Sequence, residues 1–191
     1  MSLTQPIDLL MHEHRLIEQV LSAMEQRVAD LGQQPFPAEF FEKALDFFAN
    51  YADGCHHYKE EDALFPLMKE RGIPEQGGPI GCMLHDHQFG RACLRGVREN
   101  LAAARGGSRE AMDAIRRHAT EYIAMLRGHI FKEDNVLFRL AYQALTPADM
   151  MALEADFARE DNPKINQAVR ERYEALAAEL AAAALPQASY R

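Results

Sequence analysis

Apolar residues return every three to four positions along four long stretches of the chain, roughly 8–31, 38–70, 80–104 and 109–144, which predicts four amphipathic helices. The stretches are parted by Gly32 to Pro37, Gly72 to Pro79 and Gly106-Gly107, segments rich in helix breakers. Connections this short make consecutive helices antiparallel neighbours. The expected fold is therefore all-α, an up-down-up-down four-helix bundle over about 8–144. Beyond it, Thr146-Pro147-Ala148-Asp149 reads as a helix start: a Thr cap, Pro in the first turn, and an acid at the positive end of the helix dipole. A short fifth helix should end at Asp161-Asn162-Pro163, and an Ala-rich sixth should run from Lys164 to Leu185. These additional C-terminal helices complete a single domain over 1–191, with a frayed tail from Pro186.

Composition narrows the function. Hydrophobic residues make up 48% of the 191, yet no uninterrupted apolar run approaches the ~20 needed to cross a bilayer. The opening Met-Ser-Leu-Thr-Gln-Pro lacks the basic and apolar regions of a secretion signal, so a cytoplasmic location is expected. A net charge of −8 with dispersed arginines argues against a grip on phosphate backbones, and neither nucleic acid nor a membrane is an expected partner. Cys55, Cys82 and Cys93 follow no zinc spacing and read as reduced thiols.

An internal duplication carries the chemistry. The first helix pair maps onto the second with a constant offset of 73 residues: His14 on His87, His56 on His129, Glu60 on Glu133, with Lys59, Leu64 and Phe65 on Lys132, Leu137 and Phe138. The unit is one His and, 42 residues later, His-x-x-x-Glu. Residues four apart on a helix sit one above the other, so each His-x-x-x-Glu presents an imidazole and a carboxylate to one point. In an antiparallel bundle all six residues fall at one level, near the same end. Four imidazoles and two carboxylates suit iron, and less firmly manganese or zinc. Burying them together with no cation would cost several kcal/mol for each ionised group.

Helical phase sorts the eight histidines. At ~100° per residue, His14 lies in the stripe of Leu10, Ile17, Leu21, Met24 and Val28, and His12 points away. His87 sits near the centre of the stripe of Met83, Leu94, Val97 and Leu101, with His85 nearly opposite. On the second helix His57 and Glu61 have the same spacing as His56 and Glu60, but their repeat partners are Ile130 and Asp134, and Ile130 cannot ligate. Phase and repeat favour His56 and Glu60 and leave His57 a supporting role. His118 reads as a partly exposed histidine well away from His129.

The segments His12-Glu13-His14-Arg15, His56 through Pro66, His85-Asp86-His87 and His129 through Asp134 resemble the hemerythrin-like (HHE cation-binding) family. The resemblance implies a non-heme di-iron centre, oxo- or hydroxo-bridged, with Glu60 and Glu133 as bridging carboxylates. It implies oxygen binding, sensing, or redox protection as function. Oxygen-carrying members use a fifth histidine one helical turn from the third-helix ligand. Met83 and Arg91 stand at those positions here, which weighs against reversible carriage, and Glu133 replaces an aspartate that carriers place one residue further on. The leading expectation is a di-iron protein that senses or reacts with oxygen, peroxide or a related oxidant. A di-iron oxidase or peroxidase would show turnover, and an iron-responsive interaction module would lose helix on chelation. Ferritin-type chemistry pairs lone glutamates with Glu-x-x-His, a pattern this chain lacks.

Overall fold

The computed structural model describes residues 5–33, 35–159 and 161–184. Among them are six helical elements: α1, Pro6–Ala29; α2, running from Ala38 to Glu70; α3, Pro79–Arg105; α4, running from Arg109 to Ala144; α5, Pro147–Phe157; and α6, Gln167–Ala184. The first four follow the stretches expected from periodicity, and α1–α4 pack antiparallel. Two of them depart from α geometry. In α2 the backbone is π-helical over Phe48–His57 and again over Glu60–Leu64, and in α4 over Glu133–Leu137.

Local sequence accounts for the ends. Pro6 and Pro79 occupy first-turn positions, where no intrahelical N–H is needed, and Ser108 accepts from the Ala111 N–H at 3.2 Å. Gly72 adopts φ +88°, which lets its N–H reach the Lys69 carbonyl and the Ile73 N–H reach that of Met68, closing α2. Gly107, at φ +90°, does the same for α3. The expected cap at Thr146 is a reciprocal box with Asp149, whose carboxylate also holds Arg71 at 2.7 and 2.8 Å, tying α5 to the end of α2.

Helix α5 ends at Phe157, before the Asp161-Asn162-Pro163 stop, and α6 begins at Gln167 and not Lys164. The Asn162 side chain accepts from the Lys164 N–H at 3.0 Å, a turn that competes with helix, and Asn166 then caps α6 by accepting from the Val169 N–H at 3.1 Å. Leu185 and the expected tail from Pro186 lie outside the described residues. Among the described residues no helix is long and apolar enough to cross a membrane.

The apolar core is in two parts. The larger unites Ile17, Leu21, Met24, Phe41, Phe48, Val97, Ile123 and their neighbours, sealed by Tyr173, Ala177 and Leu180 of α6. The smaller unites Ile7, Leu10, Leu64, Phe65, Met83, Leu137 and Phe138, covered by Leu153 and Phe157 of α5. A layer of buried histidines and carboxylates lies between them in sequence on every bundle helix. The C-terminal helices thus close the two apolar halves on either side of a polar layer.

Candidate metal centre

All six residues expected from the repeat meet in this layer. His14 comes from α1, His56 and Glu60 from α2, His87 from α3, and His129 and Glu133 from α4, each at most 2% exposed. His12 and His85 are exposed and His118 is part-exposed, as helical phase indicated. A seventh residue joins them: His57 is also buried, and its ring stacks on His87 with centroids 3.8 Å apart and an interplanar angle of 12°. Adjacent residues on an α-helix diverge by ~100°, which is why phase favoured only one of His56 and His57. The π-helical turn at Phe48–His57 is wider and rotates less per residue, so both side chains reach the interior. Its repeat counterpart around Ile130 is regular α-helix, whereas the shorter π turns opening at Glu60 and Glu133 obey the 73-residue offset.

Every imidazole in the layer is held from behind by a carboxylate. His14 Nδ1 lies 2.7 Å from Asp134, His56 Nδ1 2.9 Å from Glu13, His87 Nδ1 2.6 Å from Glu61, His129 Nδ1 3.3 Å from Asp86, and His57 Nδ1 3.2 Å from Asp53. Glu13 and Asp86 are repeat mates, as are Glu61 and Asp134, and Lys59 and Lys132 donate to Glu13 and Asp86 in turn. The same offset that singled out the histidines could have found these partners. Carboxylates at Nδ1 fix the tautomer and turn the Nε2 lone pair inward, the arrangement that orients imidazole toward a metal.

The inward atoms converge. His14 and His56 bring their Nε2 atoms to 2.9 Å, and His87 and His129 theirs to 3.2 Å. Glu60 spans the two pairs, with Oε1 3.5 Å from His56 Nε2 and Oε2 3.5 Å from His87 Nε2. Glu133 spans them from the other side, its Oε2 being 3.2 Å from both His14 Nε2 and His129 Nε2. Both oxygens of each glutamate are buried without a hydrogen-bond partner, and so is His57 Nε2.

Electrostatics in the protein alone are unbalanced. Burial, and next the Glu133 carboxylate, push the Glu60 carboxyl well above its ordinary range. Against burial, His129 and His14 hold Glu133 well below it. Burial pulls His56 down to about 4 and His57 well below its usual value, with His87 adding to the latter. Against burial, Glu133 and Asp86 hold His129 up to about 9. Two carboxylates at one level that cannot both ionise, facing lone pairs and unpartnered oxygens, form a donor set that fits cations. Two groups of donor atoms lie within 4.8 Å of one another: His14, His56, Glu60 and Glu133, and His57, Glu60, His87 and His129. With Glu60 common to both, the arrangement is that of a binuclear site.

Access is tight. The cavity against the site, bounded by His57, His87, Gly90, Tyr122 and Leu126, holds about 10 Å³, roughly one water. A larger cleft, about 810 Å³, lies among Leu31, Gly32, Phe36, Ala104, Met112 and Arg116 and touches none of these residues.

Comparison with known proteins agrees with this geometry. An uncharacterized protein of Mycobacterium tuberculosis is 23% identical over 168 residues, 86% of this chain and 64% of the relative, so the chain spans under two thirds of that relative's length. The iron-sulfur cluster repair protein YtfE of Edwardsiella ictaluri is 30% identical over 130 residues, 66% of this chain and 58% of the relative. The iron-sulfur cluster repair protein DnrN of Neisseria gonorrhoeae is 30% identical over 132 residues, 65% of this chain and 80% of the relative. No solved structure matches. The model of the hemerythrin HHE cation binding domain matches residues 5–141, the four helices that build the buried layer, and the chain belongs to that family.

Proposed function

We propose that His14, His56, Glu60, His87, His129 and Glu133 hold two iron ions, and that the loaded protein senses or reacts with oxygen or a related small oxidant such as peroxide. The observation that carries this reading is the pair Glu60 and Glu133: buried, unpartnered, and each in contact with an imidazole of both histidine pairs. Mixed nitrogen and oxygen donors suit iron, and two relatives named for iron-sulfur cluster repair favour it over manganese or zinc. Ferrous ions held there would supply electrons to the oxidant.

The chain's own residues set the conditions. Glu13, Glu61, Asp86 and Asp134 raise the basicity of the imidazoles and lock their orientation. The apolar layers above and below exclude bulk water, and the cavity of about 10 Å³ against the site has no room for a large substrate. A reducing cytoplasm, where Cys55, Cys82 and Cys93 stay thiols, suits such a centre. The test is anaerobic reconstitution with ferrous iron, metal analysis, and an optical spectrum before and after air. Two irons per chain and a new near-ultraviolet absorption on exposure are expected; fewer than one iron per chain would reject the reading. Peroxide consumption beyond stoichiometric iron oxidation would move the protein to the oxidase or peroxidase class.

A further inference from the structure

We infer that His57 is a fifth imidazole ligand, which makes the two metal positions unequal: three imidazoles (His57, His87, His129) on one side and two (His14, His56) on the other. The inference rests on the two-metal reading above and adds a residue that the six-residue repeat does not contain.

Three observations carry it. First, His57 is 6% exposed and its Nε2 is buried without any hydrogen-bond partner, while its Nε2 or Nδ1 is the atom that groups with Glu60, His87 and His129 within 4.8 Å. Nδ1 is already engaged by Asp53 at 3.2 Å, so Nε2 is the nitrogen left to face the group. A buried polar nitrogen without a partner costs free energy, and a cation among the other donors would remove that cost. Second, the ring is parallel to that of His87, whose Nδ1 is likewise held by a carboxylate, so the two rings are aligned for adjacent positions on one ion. Third, the device that brings His57 inward is local to α2. The π-helical turn Phe48–His57 has no counterpart in α4, and the repeat-related position is the apolar Ile130.

Arg91 belongs to this device. It donates to both oxygens of Asp53, at 2.8 and 3.0 Å, and to Glu61 at 2.8 Å, so it braces the carboxylates behind His57 and His87 together. Arg91 is thus a positioning residue. The 73-residue symmetry is thus broken on one side only, that of His57, His87 and His129.

The test uses full-length protein loaded anaerobically with ⁵⁷Fe(II), by Mössbauer spectroscopy and by iron analysis after desalting. Wild type should give two quadrupole doublets of equal area. His57→Gly should alter one doublet, leave the other, and lose up to half its iron on desalting; added imidazole should restore both properties. Asp53→Asn, which keeps His57, should weaken one of the two ferrous affinities by about tenfold or more. Both variants are first checked for wild-type helical signal, and if His57→Gly fails to fold, Asp53→Asn alone decides. Two irons with spectrum and both affinities unchanged in the variants would overturn the role of His57 while leaving the two-metal reading intact. Wild type that binds no iron would instead remove the reading beneath it.

Discussion

Glu13 Oε2 lies 2.9 Å from His56 Nδ1, while its other oxygen accepts from Lys59, so that two fully buried charges stand directly behind one imidazole. Lys59 is wholly enclosed, with its ammonium 5.7 Å from the Phe157 ring centroid. Such a pair stabilises only as a pair. Removing one partner leaves the other as an uncompensated buried charge.

Lys59→Met should therefore destabilise the metal-free protein by about 3–5 kcal/mol, and adding Glu13→Gln should recover much of that loss. Against burial, Lys59 and His56 hold Glu13 down to about 2 from an ordinary 4.5. A depressed carboxyl contributes stability in full above its unfolded pKa and loses it as pH falls toward the folded one, here between about 4.5 and 2. Urea denaturation across that window should show wild type losing stability with acid and Lys59→Met losing less. Parallel slopes would mean that Glu13 is not held by Lys59.

Iron content separates ligands from bystanders on the same helices. His129→Ala should lose most of its iron, because His129 contacts Glu133 and His87 in the buried layer, whereas His12→Ala, an exposed position two residues from His14, should match wild type. Metal analysis of the two variants after identical desalting makes the comparison; the reverse order would reject the assignment.

Removing iron should lower the melting temperature. A site filled at about 1,000 times its Kd adds about 4 kcal/mol of stability, on the order of 10 °C for a chain of this size. The pH dependence extends above the unperturbed histidine value of ~6.5. His129, held up to about 9 without metal, must give up a proton to ligate, so ferrous affinity should keep rising between pH 7 and 9. Titration with ferrous iron across that range checks it, and an affinity flat above pH 7 would contradict it.

Much of this was legible in the chain. Apolar period and Gly or Pro breaks located α1 to α4 closely, and the Thr146 cap located α5, because each signal is local. The repeat found six residues of the buried layer because a duplicated helix pair must present its polar residues at matching depth. His57 escaped because its orientation depends on a π-helical turn, which ordinary helical phase does not represent. Met83 and Arg91, at the positions where oxygen carriers place a fifth histidine, supply no imidazole, and Arg91 instead braces Asp53 behind His57. The start of α6 shifted because side chains of Asn162 and Asn166 claim backbone N–H groups that periodicity assigns to helix.

Glu60 and Glu133, each reaching an imidazole of both histidine pairs, are expected to join two irons in one centre. Low-temperature EPR of the iron-loaded, air-oxidised protein, with iron counted in the same sample, tests this most directly. Two ferric ions bridged by shared carboxylates couple antiferromagnetically, so the prediction is two irons per chain with almost no ferric signal. An isolated high-spin ferric signal accounting for all of the iron would contradict it.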